Sequence, residues 1–265
     1  MSIALKESMA QEVTPTDVNA RPFDERLGVV STRWGAGGKR LFDVVVSLIL
    51  LVPALPLIGL CLFLVRLTSA GPGLYKQTRV GRRGRLYPIL KIRTMYHNCE
   101  GDSGPKWSQE GDPRVTPLGR FLRRTHLDEL PQLWNVLCGE MSLVGPRPER
   151  PEFIPALARN IPRYCERLNV RPGVTGLAQV QLPPDTDLSS VRRKLAYDLH
   201  YAQHHGLWLD LRLLLATAGK VIGVPFRLTR AILRLPSGPV IENAVSDRDK
   251  MPPLAPQLAL VLQNG

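Results

Sequence analysis

Cysteine is scarce and scattered in this 265-residue chain: Cys61, Cys99, Cys138 and Cys165 form no CxxC pair and share no paired-histidine spacing. That argues against both a zinc site and a disulfide framework, and reduced thiols in a cytosol-facing protein are expected instead. Aromatic residues amount to only 6%, and no recognisable nucleic-acid-binding motif occurs, so the net charge of +12 does not mark a nucleic-acid binder. Lysine is also sparse. Of 35 basic residues 27 are arginine, the side chain whose planar fork grips phosphate at two points. That bias fits a protein that handles phosphates, anionic lipid headgroups or nucleic acid. The first 33 residues lack the apolar stretch of a signal peptide, and read as a flexible arm. No internal repeat is present. At 44% hydrophobic residues, wholesale disorder is excluded.

One long apolar run is present. Residues 44–65 contain a single clearly polar member, Ser47, and as a helix they reach roughly 33 Å, enough to cross a bilayer core. Pro53 and Pro56 interrupt the run near its middle, so a bend is expected there. Arg33, Lys39 and Arg40 precede it, and Arg66, Lys76, Arg79, Arg82, Arg83 and Arg85 follow. Basic residues on both flanks suggest that both ends stay on the cytoplasmic side, which makes the segment re-entrant. An ordinary spanning helix and a buried core helix remain the alternatives.

The rest reads as α+β and mainly helical. Residues 74–94 are β-leaning with a turn at Gly81 to Gly84, and 97–114 look like a loop. Thr116-Pro117 opens a helix with a threonine cap and a proline at its first position. Further helices are expected over 129–137, 153–168, 187–204 and 207–222. The resulting division is an arm over 1–36, a domain over 37–225 and a Pro-rich tail over 226–265. The domain comprises a membrane helix at about 41–67 and a compact cytoplasmic catalytic part over 68–225, which includes amphipathic helices lying at the interface.

The chemistry centres on Asp128-Glu129, adjacent carboxylates just behind Arg120, Arg123 and Arg124. A purely structural reading makes Asp128 a helix cap. It would be a poor one, because Pro131 at the third helical position has no N–H to give. The functional reading places a nucleophile or Mg²⁺ ligand at a helix N-terminus, where free N–H groups favour anions. His126 beside the pair reads as an exposed cap-region residue. His200, His204 and His205 read as surface residues, since no third ligand is evident. Met95 and Met141 read as packing. The arginines at 79, 82, 83 and 85 read as a solvated face toward acidic headgroups, each contributing about 1 kcal/mol near the surface.

Around this pair the strings Leu127-Asp128-Glu129-Leu130-Pro131-Gln132-Leu133-Trp134-Asn135-Val136-Leu137 and Gly139-Glu140-Met141-Ser142-Leu143-Val144-Gly145-Pro146-Arg147-Pro148-Glu149 resemble the signature of the bacterial sugar transferases, monotopic polyprenyl-phosphate phosphoglycosyl transferases. Lys39-Arg40-Leu41-Phe42-Asp43, Lys91-Ile92-Arg93-Thr94-Met95, Asp112-Pro113-Arg114-Val115-Thr116, Arg171-Pro172-Gly173-Val174-Thr175-Gly176, Tyr197-Asp198 and Leu209-Asp210-Leu211 extend the likeness over about residues 37–225. The resemblance implies a minimal catalytic core that moves a hexose-1-phosphate from a UDP-sugar to polyprenyl (undecaprenyl) phosphate and releases UMP. That step initiates exopolysaccharide, capsule or O-antigen assembly.

It further implies Asp128 as the nucleophile that carries the phosphosugar and Glu129 as its partner, with both available to Mg²⁺. Arg147 is implied as a phosphate-binding arginine, with Arg123 or Arg124 upstream, and Lys91 and Arg93 are further candidates from their string. Pro53 and Pro56 are implied as the break of a re-entrant helix in the bacterial inner membrane, with catalysis on the cytoplasmic face. Expected partners are the donor, the acceptor and membrane lipids, without nucleic acid and with a homodimer left open. The chain departs from the resemblance in having Val52 before Pro53 where a serine is usual. It also has His126 where a small residue is usual, and Leu177 with Gln181-Leu182-Pro183 in a region expected to contact substrate. The sugar therefore cannot be inherited. A membrane-tethered nucleic-acid binder and a non-catalytic membrane scaffold are the rival readings, and the intact carboxylate pair argues against the second.

Overall fold

The computed structural model describes residues 36–100, 111–185 and 187–242. Helix α1 spans Ala36–Thr68 and is followed by an antiparallel hairpin of β1 (Leu74–Val80) and β2 (Leu86–Ile92), in register from Leu74↔Ile92 to Val80↔Leu86. Then come α2 (Pro117–Thr125), α3 (Gln132–Cys138), β3 (Ser142–Val144), α4 (Ile154–Asn160), β4 (Gly173–Thr175), α5 (Leu177–Gln181), α6 (Leu188–His204), α7 (Leu207–Val221) and α8 (Phe226–Leu233). The described residues are mainly helical, with two small two-stranded sheets.

In α1 the helical assignment runs through Pro53 and Pro56, so the two prolines lie inside one helix and do not divide two. Packing explains why the helix survives them. Asp43, Ser47, Ala54, Cys61 and Val65 are buried, and their spacing traces one stripe along the helix. That stripe lies against the domain on both sides of the prolines. Leu41, Ile49, Val52 and Leu67 on the other faces are exposed, Val52 to 73%, and the helix is long and apolar enough to cross a membrane. Both ends are tied to the domain. Arg40 donates to Val136 O and Leu137 O, and Lys39 pairs with Asp210 at 2.6 Å. At the far end Arg93 donates to Ala70 O and, at 2.8 Å, to Ser69 O.

Thr116 caps α2 as expected, accepting from Gly119 N at 2.9 Å, and Asp187 caps α6 in a reciprocal capping box. Other elements differ from expectation. The helix expected over 129–137 begins only at Gln132, because Pro131 cannot donate to the preceding turn. The stretch over 153–168 divides into α4 and a separate 3₁₀ segment, Tyr164–Asn169. The expected tail from 226 opens with α8, and Leu235 and Ile241 beyond it are buried in the main core with Val136, Met141 and Leu213. Its prolines hid a segment whose apolar residues find partners only in three dimensions.

β3 and β4 pair in parallel, Ser142↔Gly173 and Val144↔Thr175. They belong to two of the strings read above, the one ending Pro146-Arg147-Pro148-Glu149 and the one beginning Arg171-Pro172-Gly173. A Cβ on Gly173 would lie 2.1 Å from Gly145 N, so the two backbones approach as only glycine permits.

Candidate active site

Asp128 owes its position to a turn. His126, at φ 57°, closes α2 in the left-handed region, and the chain then tightens into a 3₁₀ turn, Leu127–Glu129. Asp128 therefore caps no helix: Glu129, Leu130 and Pro131 separate it from α3. The expected helix-terminus anion site is replaced by side-chain cations. Glu129 Oε1 accepts from Lys91 Nζ at 2.8 Å and from Arg147 Nη2 at 2.9 Å. Burial alone would raise the Glu129 pKa, but Arg147 and Lys91 overrule it and hold the carboxyl well below the usual range. Asp128 is only 7% exposed, and no hydrogen bond to its carboxylate forms among the described residues. Burial, and then the neighbouring Glu129 charge, push its pKa up to about 6 against the pull of Lys91, Arg123 and Arg147. Two adjacent carboxylates thus differ widely in proton affinity, as acid–base and nucleophilic sites require.

Arg147 is presented by its carbonyls. In Pro146-Arg147-Pro148 neither proline has an N–H, and four consecutive C=O groups each find a donor from a different place. Pro146 O accepts from Gly173 N at 2.9 Å and Glu149 O from Val80 N at 3.0 Å. Arg147 O accepts from Arg167 Nη2 at 2.8 Å and Pro148 O from Arg79 Nη1 at 3.2 Å. Arg167 is itself buried, bonded to Tyr164 Oη at 2.8 Å and paired with Asp198 at 2.7 Å. Sequence reasoning missed Arg167, although the string Tyr197-Asp198 holds its partner. It also placed Arg79 and Arg82 on a solvated face. Arg79 is instead largely buried on Pro148 O, and Arg82 Nε donates to Asn169 O at 3.0 Å.

Asp128, Glu129, Lys91, Arg123 and Arg147 line one cleft of about 1760 Å³. Arg123 Nε donates to Thr94 Oγ1 at 2.9 Å. Two candidates are placed differently. Arg124 is exposed and outside the cleft lining. Arg93 also lines the cleft, but its Nη1 and Nη2 donate to Ala70 and Ser69 at the end of α1. His126 lines the cleft as well. His200 and His204 stack at 4.3 Å, and among the described residues no group of three metal-ligating side chains occurs. The carboxylate pair still suits Mg²⁺, which takes one or two carboxylates and completes its shell with water and substrate phosphate. A cation beside the buried Asp128 carboxylate would offset the burial and the Glu129 charge that raise its proton affinity.

Residues 34–224 match the family model described as bacterial sugar transferase. The UDP-glucose:undecaprenyl-phosphate glucose-1-phosphate transferase of Caulobacter vibrioides is 43% identical over 186 residues, which cover 69% of each chain. The UDP-N-acetylgalactosamine-undecaprenyl-phosphate N-acetylgalactosaminephosphotransferase of Aeromonas hydrophila is 39% identical over 69% of this chain and 43% of its own. The undecaprenyl-phosphate galactose phosphotransferase of Salmonella typhimurium is 38% identical over 69% of this chain and 40% of its own. The match thus spans about two thirds of the first relative and less than half of the other two, and the three names carry three sugars.

Proposed function

The chain belongs to the bacterial sugar transferase family, and on that premise we propose that it transfers a hexose-1-phosphate from a UDP-sugar to polyprenyl phosphate at the cytoplasmic face of a bacterial inner membrane. The observation that carries the reading is the buried Asp128 carboxylate, without a hydrogen bond of its own among the described residues, beside a Glu129 already neutralised by Lys91 and Arg147. An Asp128 oxygen attacks the β-phosphorus of the donor. The bond from that phosphorus to the bridging oxygen breaks, its electron pair leaves with UMP, and the sugar phosphate stays on Asp128. An oxygen of the lipid phosphate then attacks the same phosphorus and frees the carboxylate. Arg147, Lys91 and Arg123 hold the phosphate oxygens while charge shifts between them, so most of the catalysis is electrostatic positioning. Mg²⁺ at Asp128 and Glu129 would supply further neutralisation of the diphosphate. UMP release, measured over a panel of UDP-sugars with undecaprenyl phosphate, tests the reading: no release from any donor refutes it.

Attack requires the ionised carboxylate. With the Asp128 pKa near 6, the rate of UMP release should be level above that pH and fall about tenfold per unit below it. A cation bound beside Asp128 favours ionisation, so the acid limb should move to lower pH as Mg²⁺ is raised. A profile flat down to pH 4.5 at low Mg²⁺ would remove Asp128 from the rate-limiting chemistry.

The same reading makes α1 re-entrant. The basic residues on both flanks support this, as does a buried stripe that lies against one domain from Asp43 to Val65. In a background lacking native cysteines, Ala36→Cys and Ala70→Cys are each expected to resist an impermeant thiol reagent applied to spheroplasts and to react after lysis. Labelling at position 36 alone from outside establishes a spanning helix.

A further inference from the structure

The sheet that carries Lys91 is only two strands wide, β1 beside β2, so one edge of β2 has no strand to pair with. The register fixes which backbone groups face that edge. Arg93 N donates to Gly73 O at 2.7 Å, and in an antiparallel pair bonded and non-bonded residues alternate. Lys91 and Ile89, opposite Tyr75 and Gln77, therefore turn their backbone groups toward β1. Leu90 and Pro88, opposite Lys76 and Thr78, turn theirs outward, and groups on an open edge need partners of another kind.

Asn135 in α3 supplies them. It is buried, and its Nδ2 donates to Pro88 O at 2.8 Å while its Oδ1 accepts from Leu90 N at 3.0 Å. Nδ2 also donates to Glu140 Oε2 at 2.6 Å. A carbonyl and a carboxylate can only accept, so the two of them fix which end of the amide is nitrogen. One side-chain amide thus does the work of a third strand. The helix that presents it is itself held to the start of α1 by Arg40, on Val136 O and Leu137 O. Immediately after Leu90 comes Lys91, whose Nζ meets Glu129 Oε1 at 2.8 Å. Burial lowers the Lys91 pKa, so its ammonium stays out of water at a cost, on a flexible four-carbon stem.

We propose that Asn135 is a positioning residue for the transfer: by closing the open edge of β2 at Pro88 and Leu90, it holds Lys91 against Glu129 and the donor phosphates. The proposal rests on the transferase reading, in which Lys91 takes up phosphate charge. Asn135 acts through the strand, and its leverage comes from its place. Slack at Leu90 passes to the next residue, and a displacement of about 1 Å at a group that positions charge can cost up to about 10²-fold in rate. Without the amide, the Leu90 N–H and Pro88 C=O lose their partner, and the strand is free to shift toward any group that satisfies them.

The test is a double-substitution cycle read on UMP release and on its pH profile. Asn135→Ala is expected to lower the rate about tenfold. Like Lys91→Met, it should also move the acid limb to higher pH, because Lys91 opposes protonation of Asp128. Once Lys91 is replaced, Asn135→Ala should cost less than about threefold more and leave the acid limb where Lys91→Met puts it, since the two substitutions then remove one interaction. Losses that multiply in full overturn the proposal. An Asn135→Ala enzyme with unchanged rate overturns it too, as does one that melts earlier with its acid limb unmoved, because the amide would then serve the fold alone. Asn135→Ser, which keeps a hydroxyl for Pro88 O or Leu90 N, carries the same cycle with a smaller loss if the alanine variant does not fold. UMP release by the unaltered enzyme tests the transferase reading separately.

Discussion

Asp128→Asn is expected to lower turnover by at least about 10³-fold, the scale of losing a group that forms a covalent intermediate. The substitution preserves shape in a site where Asp128 makes no hydrogen bond among the described residues, so the fold should survive it. It also removes the like charge beside Glu129, which should if anything stabilise the protein. With the unaltered enzyme, UDP-sugar alone should give one equivalent of UMP and a phosphosugar adduct on Asp128, visible by intact-mass spectrometry. The Asn variant should give neither. The competing mechanism is direct attack by the lipid phosphate, with Asp128 merely holding metal. It predicts no adduct without acceptor, and residual Asn-variant activity that excess Mg²⁺ rescues.

Arg147→Ala comes next in size, with a loss of about 10²–10³-fold expected for removing one donor that meets developing phosphate charge. Its side chain is 41% exposed, so truncation leaves no cavity, and the backbone anchors on Pro146, Arg147, Pro148 and Glu149 remain. Two consequences follow from charge. Glu129 loses one of its two cations, and Asp128 loses one of the three that oppose its protonation. The acid limb of the pH profile should therefore move above its position in the unaltered enzyme, a shift that a merely loosened loop would not produce. Arg85→Ala, on an exposed hairpin turn, should cost less than about threefold because solvent and salt screen its headgroup contact. Equal losses from the two arginines would show that the phosphate site lies elsewhere.

The elements legible from sequence were those written in local signals. Thr116-Pro117 announced α2, the glycines at 81 and 84 marked the hairpin turn, and the continuous apolar run marked α1, because caps, turns and periodicity act over a few residues. Where several weak signals overlapped, the reading failed. Asp128 looked like a cap although Pro131 already argued against it, and α8 was concealed by the prolines around it.

The sequence by itself determined the chemical inventory of this protein: a lipid-length apolar segment, an arginine-rich composition and an Asp-Glu pair within a family signature. It could not assign the arginines. Arg93 and Arg147 look equally available in a string of letters, yet Arg93 closes the end of α1 while Arg147 reaches Glu129, and Arg167 works unseen beneath it. Only the tertiary structure decided these roles. A guanidinium is defined by the carbonyl or carboxylate it meets, and here Arg79 meets Pro148 O, Arg40 meets Leu137 O and Lys91 meets Glu129 across long stretches of chain. Those meetings depend on how the β3–β4 pair and the buried stripe of α1 close the domain, and no local propensity encodes that closure.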